Sequence, residues 1–573
     1  MKNRIVCLLM SIVIGASLCA CGSGTAQQPA DAAQEVAAEA AEEDAAQPGE
    51  TDVAAAEEET EEASVDTTGA AEAAEEDIAA EGSDVRPEVV FNRFHQMEEE
   101  DLTLIASCAY EVPELIEEAA IAYPHLNKML TTDSDAIAEQ YGKYFDEIKE
   151  AARSAIDNMD GDVEDFPAGE IEGTLEVIRC DASVLSLCDT SYVYYPGAAH
   201  GMTGYTGYNY ETATGNPITL EDVFADLPGM ETAIADNLVA VSTGEKVEAE
   251  DGMLDFAFEN GYESLNWVID RDGVRFIFSP SDIAPYALGT IEAKVSFSEN
   301  PSLFTGTYGA AEGSYVKKLE PYMPYAVDLD GDGSAENVSV NSIAGDDDYY
   351  NAGLEVHVGD ETLTQEDAFY GLTAYLLHTE DGRNYVYTFT SGDNDYPTLT
   401  VFAIRDKVPS VVGKMEGSGT ASQYIEMLGD DGEADPEESF IQRIPLIDPA
   451  HFALSTRLTI MSTYSGVRYY GVGDDGMPVP QSDQYDVRNG IILTSLVDLK
   501  AEEVDVLTNQ VTGKEVDIPA GTKFTFYQTN GTDTVDLMTE DETLLRFNVS
   551  GEWPQTVNGV KLEEAFDGIL FAG

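Results

Sequence analysis

The composition of the chain changes near residue 85, and only the part beyond that point can form a packed core. Residues 22–85 contain 20 Asp or Glu, no Lys or Arg and no aromatic residue. Such a segment buries too little apolar surface to offset the entropy of ordering its backbone. We therefore expect residues 21–86 to be a disordered, acidic Ala- and Glu-rich tether.

The part of the chain that can fold is acidic as well, which limits its partners. The whole chain has 110 Asp and Glu against 28 Lys and Arg, a formal net charge of −82. Proteins that bind nucleic acid or anionic lipid through their surface supply Lys and Arg to phosphate groups. The excess of acid argues against nucleic acid as a partner and favours cationic partners.

Residues 1–20 are typical of an export signal peptide. Lys2 and Arg4 precede an apolar run that is short for a membrane span, which needs about 20 residues. The run ends in residues 18–21 (Leu-Cys-Ala-Cys), which resemble a bacterial lipobox. This resemblance implies a lipoprotein that is acylated at Cys21 and anchored in the membrane on its extracellular face. The alternative is an ordinary secretory signal.

Residues 87–310 are predicted to form an α+β domain, an antiparallel sheet with helices. Residues 102–110 alternate like a strand, and residues 134–159 have the apolar spacing of a long amphipathic helix. Residues 173–188 follow as a hairpin with a polar turn. Residues 191–210 then have the pattern strand, glycine loop, strand, and are rich in tyrosine.

This region resembles a known family on three motifs. They are residues 194–201 with Gly-Ala-x-His, residues 208–224 with a Thr-Gly turn and Leu-x-Asp-x-Phe, and residues 279–289 with Ser-Pro-x-x-Ile-Ala-Pro-Tyr-Ala-x-Gly. Together they are similar to the DUF3298/DUF4163 family. That extracellular domain is shared by a lysozyme-sensing anti-sigma factor of Gram-positive bacteria and the N-terminal part of a peptidoglycan deacetylase.

The resemblance implies an extracellular module that binds lysozyme or accompanies an enzyme of the cell wall. The cytoplasmic segment of the anti-sigma factor has no counterpart here, and neither has the catalytic domain of the deacetylase. Neither named activity therefore carries over. An acidic surface would speed the encounter with a basic protein such as lysozyme.

The glycine loop and its flanking strands supply the candidate binding surface. Tyrosines concentrated in one hairpin indicate exposure on at least one face, where aromatic rings commonly bind partners. The alternative is that the histidine fixes the turn through its backbone and that the tyrosines form one packed face of a sheet. The candidate residues are Tyr194, Tyr195, His200, Tyr205 and Tyr208.

Three cysteines lie beyond the tether: Cys108, Cys180 and Cys188. In a hairpin that turns at Asp181 to Ser183, Cys180 and Cys188 lie too far apart to bridge without a different register. The odd number permits at most one disulfide, and the sequence does not select it.

Residues 311–465 are predicted to be a β domain with a calcium loop. Carboxylates occupy positions 1, 3, 5 and 9 of the loop, glycine occupies position 6, and the flanks alternate like strands. Oxygen ligands at this spacing wrap Ca²⁺, as in the hairpins of integrin-type repeats. The alternative is an unoccupied acidic turn. The predicted ligands are Asp328, Asp330, Asp332, the Ser334 carbonyl and Glu336.

The remaining architecture is predicted more coarsely. The full calcium pattern occurs once, so residues 311–465 form either a single β-sandwich or two incomplete propeller blades. Short strands and turn signals over residues 466–573 predict a small SH3-like β-barrel.

No common catalytic motif is present, including His-Glu-x-x-His, Gly-x-Ser-x-Gly and the phosphate loop. We therefore expect a non-enzymatic surface lipoprotein whose first domain binds a cationic, lysozyme-like protein or a cell-wall component, above a calcium-stabilised β stalk. The alternatives are an accessory module that binds peptidoglycan or other glycans, and an unrecognised wall-modifying enzyme.

Overall fold

The computed structural model describes residues 86–100, 102–157, 166–346, 350–428, 434–487, 490–551 and 554–571. The predicted signal peptide, Cys21 and the tether up to residue 85 lie outside the described residues. The described residues are mostly β, with 51% of them in strands. We describe it as an amino-terminal segment (86–310), a middle segment (311–416) and a carboxyl-terminal segment (418–571).

The amino-terminal segment combines strands and helices, which confirms the α+β prediction. Its elements are β1 (Val89–Glu100), β2 (Thr103–Leu115), α1 (Glu117–Ala122), α2 (Pro124–Asp157), β3 (Gly169–Cys180), β4 (Val184–Tyr194), β5 (Met202–Glu211), α3 (Leu220–Val223), α4 (Leu227–Asp236), β6 (Leu238–Ala240), α5 (Met253–Glu259), β7 (Asn266–Ile269), β8 (Gly273–Phe278) and β9 (Ile291–Ser296).

Strands β1 to β5 lie side by side in one sheet. All neighbours are antiparallel except β2 and β3, which run parallel. Helix α2 lies in the connection between these two strands. Parallel strands cannot be joined by a tight turn and need a long crossover, which is usually a helix. The helix packs on the sheet through Ile137, Tyr141, Phe145 and Ile148, whose spacing of three or four residues places them on one helical face.

A second sheet, in the order β6-β9-β8-β7, packs through β7 against β4 and β5. Side chains of the first sheet bond the backbone of β7 directly. The Asn209 amide donates to the carbonyl oxygen of Trp267 at 3.1 Å, and the Ile269 N–H donates to Ser186 Oγ at 3.1 Å and to Asn209 Oδ1 at 3.0 Å. These bonds satisfy buried polar groups where the sheets meet.

All three cysteines of this segment are free thiols. Cys188 pairs across the hairpin with Glu176, and Cys180 pairs with Leu185. The two cysteines therefore lie several residues apart along the ladder, as the sequence indicates.

The described residues of the middle segment form strands and one 3-10 turn at Asp393–Asp395. The strands are β10 (Tyr315–Leu319), β11 (Tyr325–Val327), β12 (Glu336–Ala344), β13 (Asn351–Val358), β14 (Glu361–Phe369), β15 (Gly371–His378), β16 (Asn384–Ser391), β17 (Pro397–Arg405) and β18 (Val408–Glu416). They form two sheets, β10-β15-β16-β17-β18 and β11-β12-β13-β14. Val340 and Val356 of one sheet share a core with Leu376 and Phe402 of the other. The two sheets therefore pack face to face as a β-sandwich over residues 315–416, and the predicted extent to residue 465 stays a prediction.

The carboxyl-terminal segment is also built of strands. They are β19 (Ser418–Leu428), β20 (Ala434–Ile444), β21 (Phe452–Ile460), β22 (Ser462–Val472), β23 (Pro478–Pro480), β24 (Tyr485–Asp486), β25 (Ile492–Ser495), β26 (Leu499–Asp505), β27 (Gln510–Ile518), β28 (Lys523–Thr529), β29 (Thr534–Thr539), β30 (Leu544–Ser550), β31 (Thr556–Val557), β32 (Val560–Lys561) and β33 (Phe566–Asp567), with α6 (Leu562–Ala565) before the last strand.

The last part of this segment packs around three mutually perpendicular rings, Phe524, Phe547 and Phe566, whose centroids lie 5.6 to 5.9 Å apart. Its first part, which contains β20, pairs with a strand of the amino-terminal segment. Strand β20 pairs with β1, with Phe91 opposite Arg443, so the sheet of the amino-terminal segment continues into residues from the far end of the sequence. The predicted domain boundaries at residues 310 and 465 remain predictions.

Candidate functional site

The glycine loop of the predicted binding surface joins β4 to β5. Tyr192 pairs with Thr203 near the end of this hairpin, and Gly197, at φ 82°, turns the chain in the loop. Pro196 precedes this glycine, and proline with glycine is a favoured turn combination. The local sequence thus places His200 at the exposed tip of the hairpin.

Gly201 holds an exposed aromatic cluster together. Its carbonyl oxygen lies 3.0 Å from His200 Nδ1 and accepts a hydrogen bond of 3.2 Å from the Tyr286 hydroxyl. The His200 and Tyr286 rings stack at 4.0 Å between centroids. A Cβ at Gly201 would lie 2.3 Å from the Tyr192 ring, so this ring packs directly on the glycine backbone. We call Tyr192, His200 and Tyr286 the aromatic patch.

The aromatic patch faces solvent. Tyr192 is 37% exposed and Tyr286 is 42% exposed. Burial of its hydroxyl and the nearby Glu170 carboxylate raise the pKa of Tyr192. The patch therefore offers aromatic surface beside negative charge, a combination that suits a ligand carrying positive charge.

The other predicted residues of this surface are half-buried and contribute to packing. Tyr195 and Tyr208 contact the core under helix α2, and Tyr195 also donates to Glu147 at 3.4 Å. Tyr205 contacts the second sheet and bonds Thr290 at 2.8 Å. Tyr194 lies two residues after Tyr192 on β4, but it is half-buried.

The structure therefore brings only His200 of the five predicted residues fully to the exposed patch. Tyr192 and Tyr286 were not among the predicted residues. Tyr286 belongs to the motif at residues 279–289, and this motif could have marked it as a candidate site residue. Nothing in the sequence places Tyr286 beside His200.

The predicted calcium loop is a tight turn between β11 and β12. Asp328, Asp330 and Asp332 each offer one carboxylate oxygen, and these atoms lie within 4.8 Å of one another. Asp328 accepts backbone N–H groups from Gly331 and Gly333, each at 2.8 Å. The loop thus holds its carboxylates together against their mutual repulsion.

A lysine from elsewhere in the fold supplies positive charge to this loop. Lys407 Nζ lies 3.1 Å from Asp330, 3.2 Å from Asp332 and 2.7 Å from Glu336. Its hydrogen bonds, with Glu336 the largest influence, raise the pKa of Lys407. The carboxylate oxygens are ligands that suit Ca²⁺. In this structure the Lys407 ammonium is the counterion of these carboxylates.

The other predicted ligands have defined partners in the loop. The Ser334 N–H donates to Asp332 at 2.8 Å, and this bond together with Lys407 lowers the pKa of Asp332. Glu336 accepts the Leu329 N–H at 3.2 Å. This bond ties Glu336, at the ninth position, to the second residue of the loop, while its role as a calcium ligand stays a prediction.

Comparison with known proteins identifies part of the amino-terminal segment. Residues 221–298 match the family model of DUF3298, described as a protein of unknown function. The chain therefore contains a DUF3298 domain, which begins within α3, ends just after β9, and includes Tyr286 but not His200. No curated protein matches the chain.

Two solved structures are similar to this chain. A DUF3298 family member from Bacteroides fragilis is 15% identical, with a TM-score of 0.29, over 39% of this chain and 94% of that one. A DUF3298 family protein from Pseudomonas aeruginosa is 14% identical, with a TM-score of 0.26, over 40% of this chain and 99% of that one. The resemblance to the anti-sigma factor and the deacetylase stays a prediction. Within the described ranges, every helix is too short or too polar to cross a bilayer.

Proposed function

We propose that this protein is a non-enzymatic lipoprotein on the extracellular face of the cell membrane, anchored through Cys21, whose amino-terminal segment binds a cationic protein such as lysozyme. The aromatic patch carries this proposal, because it exposes stacked rings at the tip of a hairpin on a strongly acidic chain. Exposed Tyr rings are frequent centres of protein interfaces.

The charge around the patch supports a basic partner. Many basic side chains of the same segment are paired with carboxylates, as Arg93 is with Glu172 and Arg153 is with Glu98. Little positive charge is therefore left to repel a cationic protein. Long-range attraction between opposite charges speeds association and weakens as salt is added.

Calorimetric titration of the mature chain with lysozyme at low salt tests the proposal. We expect saturable binding that added salt weakens, and about a tenfold loss of affinity in Tyr286→Ala, because truncation of a central interface ring removes a large share of the binding energy. Tyr322→Ala is the matched control, since Tyr322 is 52% exposed but lies in the middle segment. Absence of saturable heat, or equal affinity in both variants, contradicts the proposal.

A second candidate function is binding of cell-wall glycan. The exposed rings of Tyr192 and Tyr286 favour it, since sugars stack on aromatic faces. Sedimentation with insoluble peptidoglycan separates the two functions. Glycan binding predicts co-sedimentation that persists at high salt and is lost in Tyr286→Ala, whereas protein recognition predicts none.

We also propose that the loop of Asp328, Asp330, Asp332 and Glu336, with the Ser334 carbonyl, binds Ca²⁺ as a structural ion in competition with Lys407. A cation entering the loop replaces the lysine ammonium as the partner of the carboxylates. Extracellular sites of this kind have affinities of about 10⁻⁴ to 10⁻³ M.

Thermal unfolding with and without Ca²⁺ tests the loop. We expect Ca²⁺ to raise the Tm, Asp330→Ala to abolish the rise, and Lys407→Met to strengthen Ca²⁺ binding about tenfold, which corresponds to about 1.4 kcal/mol. Lys414→Met is the control, because Lys414 pairs with Asp367 outside the loop. A Ca²⁺ response that is absent, or unchanged in Lys407→Met, refutes the competition.

A further inference from the structure

An open cleft of about 320 Å³ lies at one end of the β-sandwich of the middle segment. It is bounded by the end of β14 on one sheet and by the turn between β16 and β17 on the other. Its volume falls at the lower end of the roughly 300–1,000 Å³ that is typical of small-molecule sites. Neither the aromatic patch nor the calcium loop contributes to it.

The floor of the cleft is partly apolar and carries two hydroxyl groups. Thr390 and Thr398 are direct neighbours across β16 and β17, so their side chains lie on the same face of the sheet. Phe369 is buried at the base, and Tyr396 lines the wall with 39% of its surface exposed. A ligand in the cleft would meet an aromatic ring and two hydroxyls together.

The rim carries two carboxylates that already have one donor each. Asp367 pairs with the Lys414 ammonium, and Asp393 accepts a hydrogen bond of 2.7 Å from the Tyr370 hydroxyl. Each carboxylate has more acceptor positions than one donor fills. Lys414 also brings hydrogen-bond donors to the same rim, so the cleft offers both acceptors and donors.

The turn that carries Asp393 is held in an unusual conformation. Asn394 and Asp395 follow it in the left-handed region, at φ 55° and 52°. The surrounding structure compensates for the energetic cost of this conformation. The turn places Asp393 and Tyr396 on its two sides. The cleft is therefore set before a ligand arrives.

We propose that this cleft binds a carbohydrate. A sugar ring presents hydroxyls that donate to carboxylates and accept from hydroxyls and lysine, and an apolar face that stacks on an aromatic ring. A metal ion fits less well, because the converging carboxylate group that the described residues contain is at Asp328, Asp330 and Asp332 and not here. The proposal is independent of the proposed lysozyme binding, which uses the amino-terminal segment, and of the proposed calcium loop, whose residues do not line the cleft.

Titration of the mature chain with soluble tetramers of N-acetylglucosamine, glucose and mannose, followed by NMR and calorimetry, tests this site. We expect at least one tetramer to bind with a Kd of about 0.1–1 mM, which corresponds to a binding free energy of about −5.5 to −4.1 kcal/mol. Tyr396→Ala should weaken binding about tenfold by removing the stacking ring.

Asp393→Asn keeps the shape of the cleft and should weaken the same sugar, whereas Tyr322→Ala, a control tyrosine in the same sandwich, should leave it unchanged. Circular dichroism of each variant shows that it is folded. Failure of all three sugars to bind overturns the proposal. Binding of spermidine instead, with the same dependence on Tyr396 and Asp393, overturns the ligand class. Loss of lysozyme binding alone leaves this site standing.

Discussion

At the scale of single residues, burial changes the pKa of carboxyl groups and so their protonation state. Asp189 is buried beside Tyr141, whose hydroxyl lies 3.0 and 3.2 Å from its two carboxylate oxygens. Burial raises the pKa of Asp189 to about 7, although the Tyr141 hydroxyl opposes this by stabilising the charged form. Asp189 thus remains protonated well above the range in which an exposed Asp ionises.

This raised pKa predicts a pH dependence with a definite sign. The folded protein holds the Asp189 proton up to about pH 7, whereas the unfolded chain releases it near pH 3.9. The stability contributed by the proton is complete below the unfolded pKa and is lost as pH rises through 7. Relative to Asp189→Asn, the natural protein should lose about 2–3 kcal/mol between pH 5 and pH 8.5.

Urea unfolding of the natural protein and of Asp189→Asn at several pH values checks this prediction. The asparagine variant has no proton to lose at this position, so its stability should fall less over the same range. Parallel pH curves for the two proteins would show that residue 189 does not titrate with folding.

At the scale of elements, contacts between the two sheets of the amino-terminal segment leave room only for glycine. A Cβ at Gly207 on β5 would lie 1.9 Å from the carbonyl oxygen of Trp267 on β7. The close approach allows Asn209 and Ser186 to bond the backbone of β7. Close approach of the two backbones therefore acts together with the packing of Cys188 on Val268 where these sheets meet.

Gly207→Ala should destabilise the protein by about 1–3 kcal/mol, because the added methyl group forces the two strands apart. Gly142→Ala is a matched control on helix α2, where a Cβ would have no neighbour within 4 Å. That change should stabilise the helix by about 0.5–1 kcal/mol. Chemical unfolding measures both, and equal effects in the two variants would contradict the close contact.

At the scale of the whole molecule, scarce basic residues connect distant segments. Lys317 of β10 lies 2.8 Å from Asp270 in the turn between β7 and β8. Burial alone would raise the pKa of Asp270, but the positive charges of Lys317 and Arg275 hold it below its usual range. Arg443 of β20 donates to the buried Glu111 of β2 at 2.8 and 2.6 Å. Buried ion pairs of this kind join all three segments.

Lys317→Met should cost about 3–5 kcal/mol, because it leaves the Asp270 carboxylate buried without its closest partner. Lys561→Met is the control, since the pair of Lys561 with Glu564 is on the surface and contributes about 1 kcal/mol at most. Both are measured by urea unfolding. If Lys317→Met lowers the free energy of unfolding no more than the control does, the contact between the middle and amino-terminal segments does not depend on this pair.

Features fixed by neighbouring residues were predictable. The helical spacing located the helix but placed its start at residue 134 instead of Pro124, because the polar run at residues 131–135 separates the buried Leu126 and Leu130 from the apolar positions that follow. The polar turn at Asp181 to Ser183 gave the hairpin and placed Cys188 opposite Glu176. The acidic spacing located a tight turn in which Asp328, Asp330 and Asp332 converge.

The sequence alone determined where a core can form, the mixture of strands and helix, and the turns, since these depend on composition and on residues a few positions apart. Only the tertiary structure decided which distant groups meet. It placed Tyr286 on His200, Lys407 in the acidic loop, and Gln442 beside Asn92 across 350 residues. Such contacts depend on the topology of the whole chain, because any acidic or aromatic group could have been the partner by its chemistry alone.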